Sequence, residues 1–285
     1  MEVDRIVNPM SYALGIDIGG SGVKGAPVDL EAGEFAADRL RIDTPAKSTP
    51  ANVVKVVAEI VASFADTIGD APVGVTIPAP VRHGVVPMIA NLDKKWVNLE
   101  AEKFFSDELQ RPVTIVNDAD AAGVAEVRYG AAKGQRGVVI VTTLGTGIGS
   151  AVINDGVLLP NTELGHLEID GFDAEKRAAA SAKTREELSY KEWSKRLQRY
   201  YETLEQLFWP DLFVVGGGVS KQSDKFLPSL VLNTPIVPAK LRNSAGIIGA
   251  AVLAVEAVAA RSADAPTHSH EDAVHEEAVQ EEAAS

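Results

Sequence analysis

Apolar positions along the chain follow two spacings, one of strands and one of helices. Tyr12–Ile18 is a mostly apolar run of strand length, and after the glycine-interrupted stretch 19–22 the pattern resumes over 23–30, so the two segments predict a hairpin. A third strand is expected over 35–42. Thr49 and Pro50 then supply an N-cap and a first-turn proline, and Val53, Val57, Ile60, Val61, Phe64 and Ile68 recur at helical spacing, which predicts one helix over 50–68. Strands at 73–77 and 113–116 flank a helix near 100–110, so the first 116 residues read β-β-β-α-β-α-β.

A similar theme then starts again. An alanine-rich helix follows Asp118, and strands over 137–143 and 148–153 flank another glycine turn. Trp193, Leu197, Tyr200, Leu204 and Phe208 mark one face of a long helix ending at Pro210, the strand 212–215 runs into Gly216, Gly217 and Gly218, and a small-residue helix over 245–260 closes the fold. The repetition is architectural and not a repeat of sequence. It gives an α/β chain in which residues 1–116 with 244–260 form one domain and 117–243 a second. The remainder, 261–285, is expected to be a disordered acidic tail, because it has one proline, no aromatic residue and repeated acidic pairs.

Composition narrows the function classes. A 46% hydrophobic content in 285 residues allows a large core. No apolar run approaches the roughly 18 to 20 residues of a membrane span, and the mixed-charge start MEVDRIVNPM leads into no signal-peptide core, so no membrane association is expected and the cytoplasm is the expected compartment. The absence of cysteine removes disulfides, thiol catalysis and cysteine-ligated zinc. A net charge of −13 argues against nucleic acid as a partner, although the segment 261–285 holds −6 of it and leaves −7 for the rest. His268, His270 and His275 lie in that segment and read as part of a solvated polar tract.

Three glycine turns, each after a buried strand, carry the strongest local signal: 17–24 (DIGGSGVK), 143–150 (TLGTGIGS) and 215–220 (VGGGVS). Glycine lets backbone N–H groups converge on a phosphate with no Cβ in the way, and any one such turn is also an ordinary hairpin. Together they fit a nucleotide or phosphoanhydride cleft with Asp17, Gly19, Gly20, Ser21, Gly22, Lys24, Thr143, Gly145, Thr146, Gly147, Gly217 and Gly218 on the donor phosphates. Gly20, Gly22 and Gly25 also match G-x-G-x-x-G, but Pro27 and Val28-Asp29-Leu30 continue as a strand where a dinucleotide site needs a helix. The Asp17 carboxylate in that turn suits Mg2+ bridging phosphates. Asn117 and Asp118 sit where a buried strand meets a helix, so Asp118 is either a helix cap or a base for a sugar hydroxyl, while Asp120 reads as a first-turn dipole partner. The segment LPNTELGHLEID gathers Glu163, His166 and Glu168, which suit a metal or several hydroxyls, and with only two histidines before residue 261 a three-histidine metal site cannot form there.

DIGGSGVKG, IANLDKKWVN, NDADAAG, TLGTGIGSAVINDG, ELGH and VVGGGVSK together resemble the motifs of the ROK family of sugar kinases and repressors, over about 12–258. Within it the resemblance is strongest to an actinobacterial branch of glucose kinases that use inorganic polyphosphate. It implies an actin-like (ribonuclease H-like) two-domain sugar kinase fold with an interdomain cleft, and a homodimer in which the Trp193–Phe208 helix is a contact face unless it packs inside the subunit. It implies Asp118 as the general base, Asn91, Asn117, Glu163, His166 and Glu168 on the sugar, and Asp17 with Mg2+ on the donor. The family's cysteine-rich zinc motif is missing after ELGH, so no zinc is expected. The implied activity is phosphoryl transfer from polyphosphate, and from ATP, to glucose; the alternative is an ATP-dependent hexokinase for glucose or mannose. A repressor is disfavoured because 11 residues precede the first strand, too few for a helix-turn-helix. Lys24, Arg82, Lys94, Lys95, Lys133, Arg136 and Lys221 are the cations offered to a polyanionic donor.

Overall fold

The computed structural model describes residues 11–263. The expected tail falls outside the described residues except for its first three positions, which continue the last helix.

β1 (Tyr12–Ile18) and β2 (Val23–Asp29) form the antiparallel hairpin, with Asp17 opposite Lys24. The third strand is broken. β3 (Glu34–Phe35) pairs with one end of β2 and β4 (Leu40–Ile42) with the other, because Pro27 in β2 offers no N–H to a neighbour and residues 36–39 loop past it. The predicted helix over 50–68 is likewise two, α1 (Pro50–Ser63) and α2 (Ala65–Ile68), which meet at Phe64 with φ −115° and ψ 11°, its ring packed against the core. β5 (Val73–Ile77), the short pair β6 (Val85–Val86) and β7 (Leu99–Glu100), α3 (Ala101–Leu109) and β8 (Val113–Asn117) complete this half. Its sheet runs β3-β2-β1-β5-β8, with β4 also on β2, and β1, β5 and β8 are parallel.

α4 (Asp118–Arg128) leads into the second half, where β9 (Val138–Leu144) and β10 (Ile148–Asn154) repeat the antiparallel hairpin around a glycine turn. There follow β11 (Val157–Leu159), the small pair β12 (Glu168–Ile169) and β13 (Phe172–Asp173), α5 (Ala174–Ala178), α6 (Ala180–Arg185) and α7 (Tyr190–Phe208). β14 (Leu212–Gly216), β15 (Ile236–Pro238) and α8 (Ala245–Ala263) end the fold. The second sheet runs β11-β10-β9-β14-β15. α7 opens with a capping box between Ser189 and Glu192 and buries Trp193, Leu197, Tyr200, Tyr201 and Leu204 in the second core, each worth on the order of 2 kcal/mol. The stripe expected either to pack inside the subunit or to face another copy packs inside.

Between the sheets α8 lies across β1, β5 and α4. The approach leaves no room for a side chain: a β-carbon on Gly15 of β1 would sit 1.8 Å from the Ile247 carbonyl oxygen, one on Gly74 of β5 1.9 Å from that of Ala250, and one on Gly249 of α8 1.7 Å from that of Ala121. Contrary to the expectation that no segment is apolar enough, the helix within 242–263 is long and apolar enough to cross a membrane by length and composition. The packing gives the apolarity its reason, since one face of the helix is buried against β1, β5 and α4.

Candidate active site

A cleft of about 720 Å3 opens between the sheets at the level of the glycine turns. Its donor side is made of the loops that end β1, β9 and β14: Asp17, Gly19, Gly20, Thr143, Gly145, Thr146, Gly147 and Gly217 line it. Ser21, Gly22, Lys24 and Gly218, expected here too, are not among the lining residues. Lys24 is instead turned onto Asp17, its Nζ 3.3 Å from Oδ2, while Thr76 donates to Oδ1 at 3.0 Å. Arg41 reaches over the first turn and donates to the Ser21 carbonyl at 2.9 Å, and Thr44 donates to the Gly19 carbonyl at 2.5 Å.

The floor is the start of α4. Asn117 is the N-cap, its Oδ1 accepting from the N–H of Ala119 at 2.8 Å and of Asp120 at 3.1 Å. This resolves the capping question raised by the sequence: Asn117 caps, and Asp118 is the first residue of the helix. The cap also takes the acceptor of Asn117, so only its Nδ2 is left for a ligand. Burial is the main cause that raises the Asp118 carboxyl to about 6, followed by the negative charge of Asp17; the Ala119 N–H pulls the other way and Glu163 adds to the rise.

Asp120 lies in the first turn of α4, as a dipole partner would, and is buried there. It is 3% exposed, one oxygen accepts from the Asn161 N–H at 2.8 Å, and the other has no partner among the described residues. Burial pushes its carboxyl up to about 7, opposed by the Asn161 N–H and reinforced by Glu163 and Asp118. Asn161, in the left-handed region at φ 60°, also bridges the two halves: its side chain accepts from the Val81 N–H at 2.7 Å and donates to the Val81 carbonyl at 2.8 Å.

Opposite the floor, Asn91, Glu163 and His166 line the cleft, and Glu168 does not; it is exposed on β12, paired with Asp173 of β13. His166 Nδ1 lies 3.1 Å from Asp173 Oδ2, and that contact raises the imidazole above its usual range. Burial raises the Glu163 carboxyl, against the pull of His166. Glu175 lines the cleft as well, and the sequence reading missed it. An acid in the first turn of a short helix reads as an ordinary dipole partner, and nothing local marks Glu175 as more. Its Oε2 accepts from the Ile148 N–H at 3.1 Å, and His166, Asp173 and Glu175 present ligand atoms within 4.8 Å of one another. The cleft therefore has one wall of amides and hydroxyls suited to phosphates, a floor carboxylate able to take a proton, and an opposite wall of acids and an imidazole suited to hydroxyl groups.

Residues 13–183 match the model of the ROK family. The chain is 50% identical over 245 residues to a polyphosphate glucokinase of Mycobacterium tuberculosis (strain CDC 1551 / Oshkosh), covering 86% of this chain and 91% of that one. It is similar to the crystal structure of an inorganic polyphosphate/ATP-glucomannokinase from Arthrobacter sp. strain KM, with 52% identity, a TM-score of 0.82, and coverage of 87% of this chain and 99% of that one. A ROK family glucokinase from Streptomyces griseus, solved with glucose and AMPPNP, shares the fold at 23% identity and a TM-score of 0.73, over 86% of this chain and 99% of that one.

Proposed function

The chain belongs to the ROK family, and from that premise we propose that it is a glucokinase transferring a phosphoryl group from inorganic polyphosphate, and also from ATP, to the 6-hydroxyl of glucose. The observation that carries this reading is the 50% identity, across 86% of the chain, with a relative that is itself a polyphosphate glucokinase. The similarity to a polyphosphate/ATP-glucomannokinase supports the use of two donors and makes mannose the second acceptor to test.

In the reaction the glucose 6-oxygen attacks the terminal phosphorus, the bond from that phosphorus to its bridging oxygen breaks, and the hydroxyl proton passes to Asp118. A carboxyl raised to about 6 suits this role, because it is ionised at neutral pH yet more basic than an ordinary aspartate. Asn91, the Nδ2 of Asn117, Glu163, His166 and Glu175 hold the sugar hydroxyls in this reading, and the glycine turns hold the donor oxygens. The donor side offers the Asp17 carboxylate and no nitrogen or sulfur ligand, a fit for a hard cation, and the mutual repulsion of Asp17 and Asp118 is what such a cation would relieve. Mg2+ held there by Asp17 would neutralise charge on the donor phosphates.

The division into lobes of 1–116 with 244–260 and of 117–243 belongs to the same proposal, supported by the two sheets and by α8 lying on the first. Closure of the lobes would exclude water from the phosphoryl group. The enzyme works in the cytoplasm as a homodimer in this reading.

The test is glucose 6-phosphate formation by the purified protein with Mg2+, comparing polyphosphate with ATP and glucose with mannose and fructose. Turnover of glucose with polyphosphate is expected. Activity with ATP alone would remove the donor assignment and leave an ATP-dependent hexokinase, and inactivity with every pair would overturn the reading.

A further inference from the structure

Two lysines that no motif singles out converge on one tyrosine ring, carried by segments joined to two of the glycine turns. α6 is tied to the second glycine turn, since the Ser181 N–H donates to the Gly145 carbonyl at 3.0 Å and its hydroxyl to that of Thr146 at 2.5 Å. The 3-10 segment Gly218–Lys225 departs from the third turn at the cleft-lining Gly217. Each segment brings one ammonium to the same ring: Lys183 Nζ lies 4.3 Å and Lys225 Nζ 5.4 Å from the centroid of Tyr190. The ring is held in place, stacked on Phe226 at 6.3 Å and hydrogen-bonded through its hydroxyl to Gln222.

A lysine over a tyrosine is ordinary; two on one ring are not, because their charges repel and the ring quadrupole is shared. Among the described residues neither lysine is in an ion pair, whereas Arg185 and Arg196 share Glu186 and Arg199 takes Asp170. In a chain of net charge −13, with acids in excess, two cations gathered without a carboxylate await an anion from outside. One of the segments that carry them is hydrogen-bonded to a turn assigned to the donor phosphates and the other continues from a second such turn, so the anion placed there is the part of the donor beyond the reacting end.

We propose that Lys183 and Lys225, set on Tyr190, form a distal subsite for the trailing phosphates of long-chain polyphosphate. This rests on the polyphosphate reading above and adds to it the exit path of the donor from the cleft. A short donor ends before this pair and a long one passes it, so the subsite favours long chains through charge contacts to exposed phosphates.

The experiment compares long-chain polyphosphate with tripolyphosphate as donors to glucose, for the parent protein and for the double variant Lys183→Ala/Lys225→Ala. Loss of two exposed charge contacts should lower the ratio of kcat/KM for long over short donor about tenfold, and should flatten the salt dependence of the long-donor KM. Lys183→Gln/Lys225→Gln, which keeps the side-chain length, should do the same. An unchanged ratio, or an equal fall with both donors, would overturn the subsite while leaving the polyphosphate reading intact. A parent protein that uses ATP and neither polyphosphate would instead overturn the donor reading, and the subsite with it.

Discussion

Replacing Asp120 by asparagine separates the charge of this side chain from its shape. The two side chains are isosteric, and the oxygen that accepts from Asn161 N–H is kept. In the folded protein the Asp120 carboxyl stands at about 7 rather than 3.8, mainly because it is buried. The folded state therefore holds this proton over a pH range where the unfolded chain has released it, and stability falls as pH rises from about 4 through 7. Linkage with those two values gives the parent a penalty of about 2 kcal/mol at pH 5.5 and about 4 kcal/mol at pH 8.5, so Asp120→Asn should gain about 2 kcal/mol on the parent between these pH values. Both lie above the sequence isoelectric point near 4.9. Urea unfolding of the two proteins at the two pH values measures this difference of differences, in which changes common to both cancel. A stability difference that stays constant within about 0.5 kcal/mol across that range would show that Asp120 is ionised throughout and would refute the argument from burial.

Asp118→Asn should fold, bind glucose with an affinity close to the parent's by calorimetry, and lose roughly 10^2 to 10^4 in kcat; near-parental turnover would remove Asp118 as the base. Gly249→Ala puts a methyl group 1.7 Å from the Ala121 carbonyl oxygen and should cost on the order of 3 kcal/mol, read as a fall of roughly 10 °C in Tm, whereas an unchanged Tm would mean that α4 and α8 separate freely. Asp173→Asn should lower the His166 pKa, because the carboxylate that favours imidazolium is gone; an NMR titration that leaves the imidazole where it was would assign the shift elsewhere.

Much of the fold and the family was legible because the informative residues are neighbours in sequence. A strand followed by glycines is a local pattern, and three of them, with NDADAAG and ELGH, mark residues that line the cleft before any packing is known. The breaks were harder. Pro27 disrupts the strand beside it, and Phe64 leaves helical geometry without a proline or glycine to announce it. The capping role of Asn117 is hidden because a cap and a sugar contact ask for the same side chain at the same strand-to-helix junction. Glu168 and Glu175 differ only in which faces the cleft, a matter decided by the β12–β13 turn between them. A first-turn acid such as Asp120 carries no sign that the loop after β11 will hydrogen-bond it in the interior, and Lys183 and Lys225 share a ring only because α6 and the 218–225 segment both reach Tyr190. Contacts of this kind, dozens of residues apart, leave no periodicity to read.

The Asn161 bridge has a consequence for how this protein can vary. Asn161 reads only the main chain of Val81, and every residue but proline supplies that N–H and carbonyl. Position 81 can therefore drift under the demands of its own packing while the tie across the cleft survives, and position 161 is held to a side chain with both a donor and an acceptor that tolerates a left-handed backbone. Substitutions at the two ends would not track one another. A link between the halves of this enzyme thus leaves no correlated changes in its descendants, and only an asparagine that refuses to change would betray it.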